Sequence, residues 1–259
     1  MKCIALLVIV GVVTAKPTQR IVNGEEATPN EFPHIVSLQT SFFGFSWSHS
    51  CGGTLISRNY VLTAAHCVDG RSARDLRVEL GKHNLDTTEP NQQRISISKI
   101  IMHPGYDGNA EGYPNDIAVL ELSNSANLVP GFIETTELAP DLSYEGENVV
   151  LAGWGKLKGS DSGTPTRLQK VTIPVISQTT CINEWQHIFE THICVFDPSV
   201  STGACNGDSG GPMYCSDGNG GVVVCGVTSW GASGCPGDKP TIYGRVSKFT
   251  PWIRSNTDL

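Results

Sequence analysis

Tyr60-Val-Leu-Thr63-Ala-Ala-His66-Cys67 opens on four residues of strand type and closes on a histidine beside a cysteine. So short a β-rich run, following the polar Ser57-Arg-Asn59, reads as a strand. The same pattern recurs on both sides of it. Upstream lie Ile35-Val-Ser-Leu-Gln39 and Gly53-Thr-Leu-Ile56. Downstream lie Leu76-Arg-Val-Glu-Leu80, Arg94-Ile-Ser-Ile-Ser98, Ile117-Ala-Val-Leu-Glu-Leu122, Asn148-Val-Val-Leu-Ala152, Leu168-Gln-Lys-Val-Thr-Ile173 and Val222-Val-Val-Cys-Gly-Val227. Several alternate with period two. Helical spacing appears only near the end, where Val246, Phe249, Trp252 and Ile253 share one face of a helix expected to start between Ser247 and Pro251. The class is all-β, a sandwich or a barrel. Residues 123–143, polar and punctuated by Pro and Gly, form the expected seam between two halves of similar strand density.

At 259 residues the chain can bury a core of one large domain or two halves. Its 28 Gly and 15 Pro fall short of a low-complexity composition, which excludes disorder and collagen. A formal charge of −7, with no stretch that clusters Lys and Arg, argues against nucleic acid or an acidic membrane as partner.

Met1-Lys2, an uncharged apolar run from Cys3 to Val13 and the small residues ending at Ala15 have the form of a secretory signal peptide, residues 1–15. The run is far short of the ~20 apolar residues of a spanning helix. Lys16-Pro-Thr-Gln-Arg20 then precedes Ile21-Val-Asn-Gly24. Residues 16–20 read as an activation propeptide, with Arg20 the cut site of a trypsin-like activating protease. The expected product is secreted and extracellular. Three of the 18 Lys and Arg lie in this leader, so 15 face the 25 Asp and Glu of the mature chain, a formal charge of −10. Cys3 also leaves, so eight of nine cysteines remain, and an even count in an exported chain points to disulfides. Zinc would want a Cys-x-x-Cys pair, of which there is none, so neither a metal nor another cofactor is expected.

Three segments carry the chemistry. Thr63-Ala-Ala-His66-Cys67 sets a histidine beside a cysteine that can tie its loop down. Asn115-Asp116 puts an acid at the mouth of a buried strand, and Gly207-Asp208-Ser209-Gly-Gly-Pro212 puts a serine in a glycine-rich turn. A serine hydroxyl needs a base to take its proton, and imidazole titrates in a suitable range. A carboxylate on the other ring nitrogen fixes the tautomer. Glycines around Ser209 let backbone N–H groups approach a developing oxyanion.

Together, in this order, the three segments resemble the trypsin-like (chymotrypsin-fold) serine endopeptidases, here an elastase/chymotrypsin-like member. The likeness covers the mature chain, through Ile21-Val-Asn-Gly24, Ser50-Cys-Gly-Gly53, Gly153-Trp-Gly155, Ser229-Trp-Gly231 and the terminal helix. It implies two six-stranded antiparallel β-barrels with a C-terminal helix, the N-terminal barrel over about 21–130 and the C-terminal one over about 131–259. His66, Asp116 and Ser209 would be the catalytic triad, with roles taken from that family. Gly207 and Ser209 would supply the oxyanion hole. Ser229, Trp230 and Gly231 would pair with substrate backbone. Cutting after Arg20 would free the Ile21 ammonium to bind Asp208, so the uncut chain would be a weakly active zymogen.

The resemblance also pairs Cys51 with Cys67, Cys181 with Cys194, and Cys205 with Cys235. Cys215 and Cys225 are left. They flank Ser216-Asp-Gly-Asn-Gly-Gly221, and a hairpin centred near Gly220 would set them opposite each other, with two free thiols as the alternative. The specificity pocket would comprise Gly203, Ala204, Ser229, Trp230, Gly231 and Thr241. At its floor position Gly203 stands where trypsins carry an acid, so a basic side chain would find no counter-ion unless Asp238 turned inward. An open wall at Gly231 with Thr241 lower down favours Leu, Met or Phe before the scissile bond, and Ala less. In the loop that resembles a calcium loop, Lys82 stands at the first ligand position, and its ammonium could replace the ion by pairing with Glu89. No Asn-x-Ser/Thr acceptor occurs. The expected protein is a monomer acting on polypeptide substrates, with protein protease inhibitors as further partners and digestion as its setting. The alternatives are a non-catalytic homologue that only binds, and an active protease of immunity or venom.

Overall fold

The computed structural model describes residues 24–42 and 46–259. The expected signal peptide and propeptide, with Arg20 and Ile21, lie outside the described residues. The expected fold is the one found. β1 (Glu25–Glu26) is followed by β2 (Ile35–Phe42), β3 (Ser46–Leu55), β4 (Tyr60–Thr63), β5 (Leu76–Leu80), β6 (Gln93–Met102) and β7 (Ala118–Leu122). β2 to β7 close into an antiparallel barrel in the order β2-β3-β4-β7-β6-β5. Alternation explains the closure: along β6, Ile95 and Ile97 are buried while Arg94, Ser96 and Ser98 face out. The inward set meets Leu38, Leu55, Leu62, Leu76 and Leu120 in one core.

The second barrel holds β8 (Asn148–Gly153), β9 (Gln169–Ile176), β10 (His192–Val195), β11 (Pro212–Ser216), β12 (Val222–Trp230) and β13 (Thr241–Arg245). They run in the order β9-β10-β13-β12-β11-β8, and pairing of β8 with β9 closes the ring. Closure leaves neither barrel with a free edge inside the ring. β1 adds to the outside of β9, with Glu25 opposite Lys170 and Glu26 opposite Gln169. α1 (Gln178–Glu184) is capped by Ser177, whose hydroxyl accepts from Thr180 N. α2 (Val246–Ser255) buries Val246, Phe249 and Ile253 in the core of the first barrel, so the end of the chain ties the two barrels together.

Several sequence expectations need correction. β1, β10, β11, β13 and α1 are additional elements that the sequence pattern did not mark. β11 begins on Pro212, which is tolerated as the first residue of a strand. α2 starts at Val246, before the expected range, and carries Pro251 within it. All four disulfides form as expected. Cys215 and Cys225 are nonetheless not opposite each other. Cys215 faces Val223, Tyr214 faces Val224 and Met213 faces Gly226, so Cys225 is the extra residue of a β-bulge. The bulge brings it to a Cα separation of 5.8 Å from Cys215.

Candidate active site

His66 sits on a 3-10 turn, Ala65–Cys67, directly after β4. The Cys51–Cys67 bond fastens that turn to β3. Asp116 lies just before β7 and is 2% exposed. The approach to it is strained. Tyr113 (φ 46°) and Asn115 (φ 54°) are held in the left-handed region, which side-chain-bearing residues adopt only under constraint. Two contacts supply the constraint: the Trp230 indole N–H donates to Gly112 O at 3.0 Å, and Asn115 Nδ2 donates to Gly105 O at 2.8 Å.

The Asp116 carboxylate accepts three hydrogen bonds. His66 N donates to Oδ1 at 2.9 Å, His66 Nδ1 to Oδ2 at 2.7 Å, and Ser229 Oγ to Oδ2 at 2.6 Å. With the ring proton on Nδ1, Nε2 is left as the basic nitrogen. Ser209 is half-buried in the turn before β11. Its hydroxyl forms no hydrogen bond with His66 among the described residues, a looseness common to such pairs without substrate.

The two barrels touch through glycine. Gly52 N donates to Ser209 O at 2.8 Å, and a Cβ on Gly52 would lie 2.6 Å from Gly211 Cα. This is the physical reason for glycine in Ser50-Cys-Gly-Gly53. Gly210 (φ 73°) is as confined, since a Cβ there would come within 2.2 Å of Thr63 Oγ1. The N–H groups of Gly207 and Ser209 donate to no other group among the described residues, so both can serve an incoming oxygen. Sequence reasoning passed over His49, on β3. Its Nε2–H donates to Gly207 O at 3.0 Å, and its Nδ1 pairs with Ser37 Oγ at 2.9 Å. Burial lowers its pKa, which keeps the ring neutral. No local signal marks this role, because its partners lie on distant strands.

Asp208 points away from the cleft into the second barrel. Its carboxylate accepts from Gly155 N at 2.7 Å and Cys205 N at 2.9 Å, and burial pushes its pKa up to about 6. A Cβ on Gly153 or Gly155 would collide with it, at 2.1 and 2.2 Å. Glycine at these two positions is therefore a packing requirement.

Beside Ser209 opens a cavity of about 490 Å³, lined by Ala204, Ser229, Trp230, Gly231 and Thr241 among others. The Cys205–Cys235 bond closes one wall. Gly203 does not line this cavity, whereas Thr241 does, and a Cβ on Gly203 would stand 2.7 Å from Thr241 Oγ1. Asp238 is exposed and does not line the cavity.

Among the described residues, the one cluster with metal-ligand types within 4.8 Å is Cys51, His66 and Cys67, whose two sulfurs are already bonded to each other. The loop that resembles a calcium loop is organised by Lys82, but not through Glu89. The buried ammonium donates to Thr87 O and to Gln92 Oε1 at 3.1 Å, and stands 3.9 Å from the buried Glu79 carboxylate. Glu89 instead accepts from Asn84 N at 2.9 Å. Lys82→Met removes the donor from two acceptors inside this loop. The expected cost is ~1–3 kcal/mol, read as a lower urea midpoint, with EDTA leaving the wild-type midpoint unchanged.

Comparison with known proteins agrees with this geometry. The family model described as Trypsin matches residues 21–253. The fibrinolytic enzyme, isozyme C, of Lumbricus rubellus is 40% identical over 248 residues, covering 92% of this chain and 100% of that one. Chymotrypsin-like elastase family member 1 of Bos taurus is 40% identical over 245 residues, 91% of this chain and 89% of its own. Trypsin-1 of Astacus astacus is 36% identical over 242 residues, 91% and 99%.

Proposed function

The chain belongs to the trypsin family, and on that premise we propose that it is a secreted serine endopeptidase, made as a zymogen, which cuts after medium-to-large apolar residues. The observation that carries this reading is His66 held by a buried carboxylate that accepts three hydrogen bonds, together with a cavity lined by Ser209 and Thr241. Ser209 Oγ attacks the peptide carbonyl and gives its proton to His66 Nε2. Asp116 stabilises the imidazolium, and the N–H groups of Gly207 and Ser209 bind the oxyanion. His66 then passes the proton to the leaving amine, and water repeats the cycle on the acyl-enzyme.

Specificity follows from the cavity. No acid among the described residues lines it, so a lysine or arginine side chain would be buried without a partner. Thr241 lines it, which favours Leu and Met over Phe. The four disulfides support an oxidising, extracellular setting, and a digestive role is the simplest one. Zymogen control rests on Asp208, a buried carboxylate that no cation reaches among the described residues. β1 supports the same reading. Its Glu25 pairs with Lys170 at 3.5 Å, and Glu31, just beyond it, pairs with the same ammonium at 2.6 Å, a few residues after the expected cut.

The test is to cleave the purified proform with trypsin, remove the trypsin, and measure kcat/KM on peptides that differ only in Ala, Leu, Phe or Arg before the cut. Leu should lead and Arg should trail by about 100-fold or more. In Thr241→Gly the Phe to Leu ratio should rise about tenfold. Arg in the lead would overturn the apolar reading. No cleavage from a clean Ile21 terminus would favour a non-catalytic binding protein.

A further inference from the structure

Lys156 follows Gly155 on the side of the cleft that carries the oxyanion hole. Its N–H donates to Asn206 O at 2.8 Å, and a Cβ on Gly207 would come 3.1 Å from Gly155 Cα. The backbone of Lys156 is thus pinned next to the groups that would bind the oxyanion. Its side chain lines the same 490 Å³ cavity as Ser209, and it is the one ionisable side chain among the described lining residues. It is half-buried, and among the described residues its ammonium has no ion pair and no hydrogen bond. This is unusual in a chain of formal charge −7, where a half-buried cation has many acids to choose from.

A half-buried lysine on the cavity that holds Ser209, with no ion-pair partner among the described residues, is half of an ion pair. The other half would come from the substrate. The acyl half of a bound peptide is taken up by the strand at Ser229 to Gly231 and the part of the cavity at Thr241. Lys156 borders Asn206 and Gly207 instead, where the leaving half runs past the oxyanion hole. We propose that Lys156 is a specificity-determining residue that binds a substrate carboxylate, from Asp or Glu, within the first three residues after the scissile bond. The inference rests on the peptidase reading and adds to it the charge of the leaving half. It also gives an enzyme with an excess of acids a local means of accepting acidic sequence.

The experiment uses the activated full-length enzyme and internally quenched peptides with Leu before the cut, carrying Glu, Gln or Lys in turn at each of the three positions after it. Every kcat/KM is divided by the same variant's value on a Leu anilide, which has no residue beyond the cut. Wild type should prefer Glu to Lys about 3- to 10-fold at one of these positions, and the preference should shrink in 1 M salt. The ratio should fall to about 1 in Lys156→Ala and invert in Lys156→Glu. A ratio near 1 in the wild type, a preference that survives both substitutions, or an acid preference only before the cut would each overturn the proposal. If the anilide is cleaved while these ratios fail, the peptidase reading stands and the Lys156 inference falls. If nothing is cleaved, both fall.

Discussion

After activation, Ser209→Ala lowers kcat/KM on a Leu anilide by on the order of 10⁴ or more, while the protein folds and melts as the parent does. His66→Ala gives a loss of similar size, and the double variant loses little further, because the two side chains act as one unit. Asp116→Asn should be nearly as severe, since the amide turns an N–H towards a histidine that needs an acceptor on Nδ1. The magnitude is that established for the family's triad and is not read from these distances. Three donors converge on Asp116, so its replacement also strands the Ser229 hydroxyl, which lies 2.6 Å from Oδ2. Ser229→Ala tests that share separately and should cost far less. Activity within tenfold of the parent in Ser209→Ala would remove Ser209 as nucleophile.

The second large effect concerns Asp208. Asp208→Asn, correctly cut after Arg20, should retain no more than about 1% of wild-type activity, since losing one partner of a buried ion pair costs ~3–5 kcal/mol. The sign of the pH dependence is fixed by the shift itself. In the uncut chain burial raises the Asp208 pKa from 3.8 to about 6, so the folded state binds the extra proton. Its contribution to stability is complete below the unfolded value and is lost as pH rises through about 6. An ammonium delivered by cleavage would keep the carboxylate charged and cancel that loss. The melting temperature of the cut chain minus that of the uncut chain should therefore grow between pH 4 and 7. His34 and His192, both buried with pKa values pushed down to about 4, titrate in each form and drop out of the difference. A difference that is flat with pH, or full activity in Asp208→Asn, would sink the switch.

Much of the fold was legible because the strands announce themselves locally. Ile95 and Ile97 alternate with outward Arg94 and Ser96, and Ile117 to Leu120 is a continuous apolar run whose members are all buried. Elements such as β10 and β13 were not legible, since their burial comes from strands distant in the chain and not from a local pattern. The site divides in the same way. His66, Asp116 and Ser209 were readable as three motifs, each with its own local chemistry. His49 and Lys156 were not: His49 acts on Gly207 across 158 residues of chain, and Lys156 matters only through the cavity it borders.

By itself the sequence determined the all-β class and an even set of eight cysteines after the expected leader, because these are properties of short windows and of counts; three of the cysteine pairings and the roles expected of His66, Asp116 and Ser209 came from the family resemblance. Only the tertiary structure decided that Thr241 lines the cavity and Gly203 does not, that Lys82 meets Glu79 and not Glu89, and that Cys225 reaches Cys215 from a bulge. Each of these is a matter of ångströms between segments far apart in the chain or shifted in register, and barrel closure sets such distances while no local pattern encodes them.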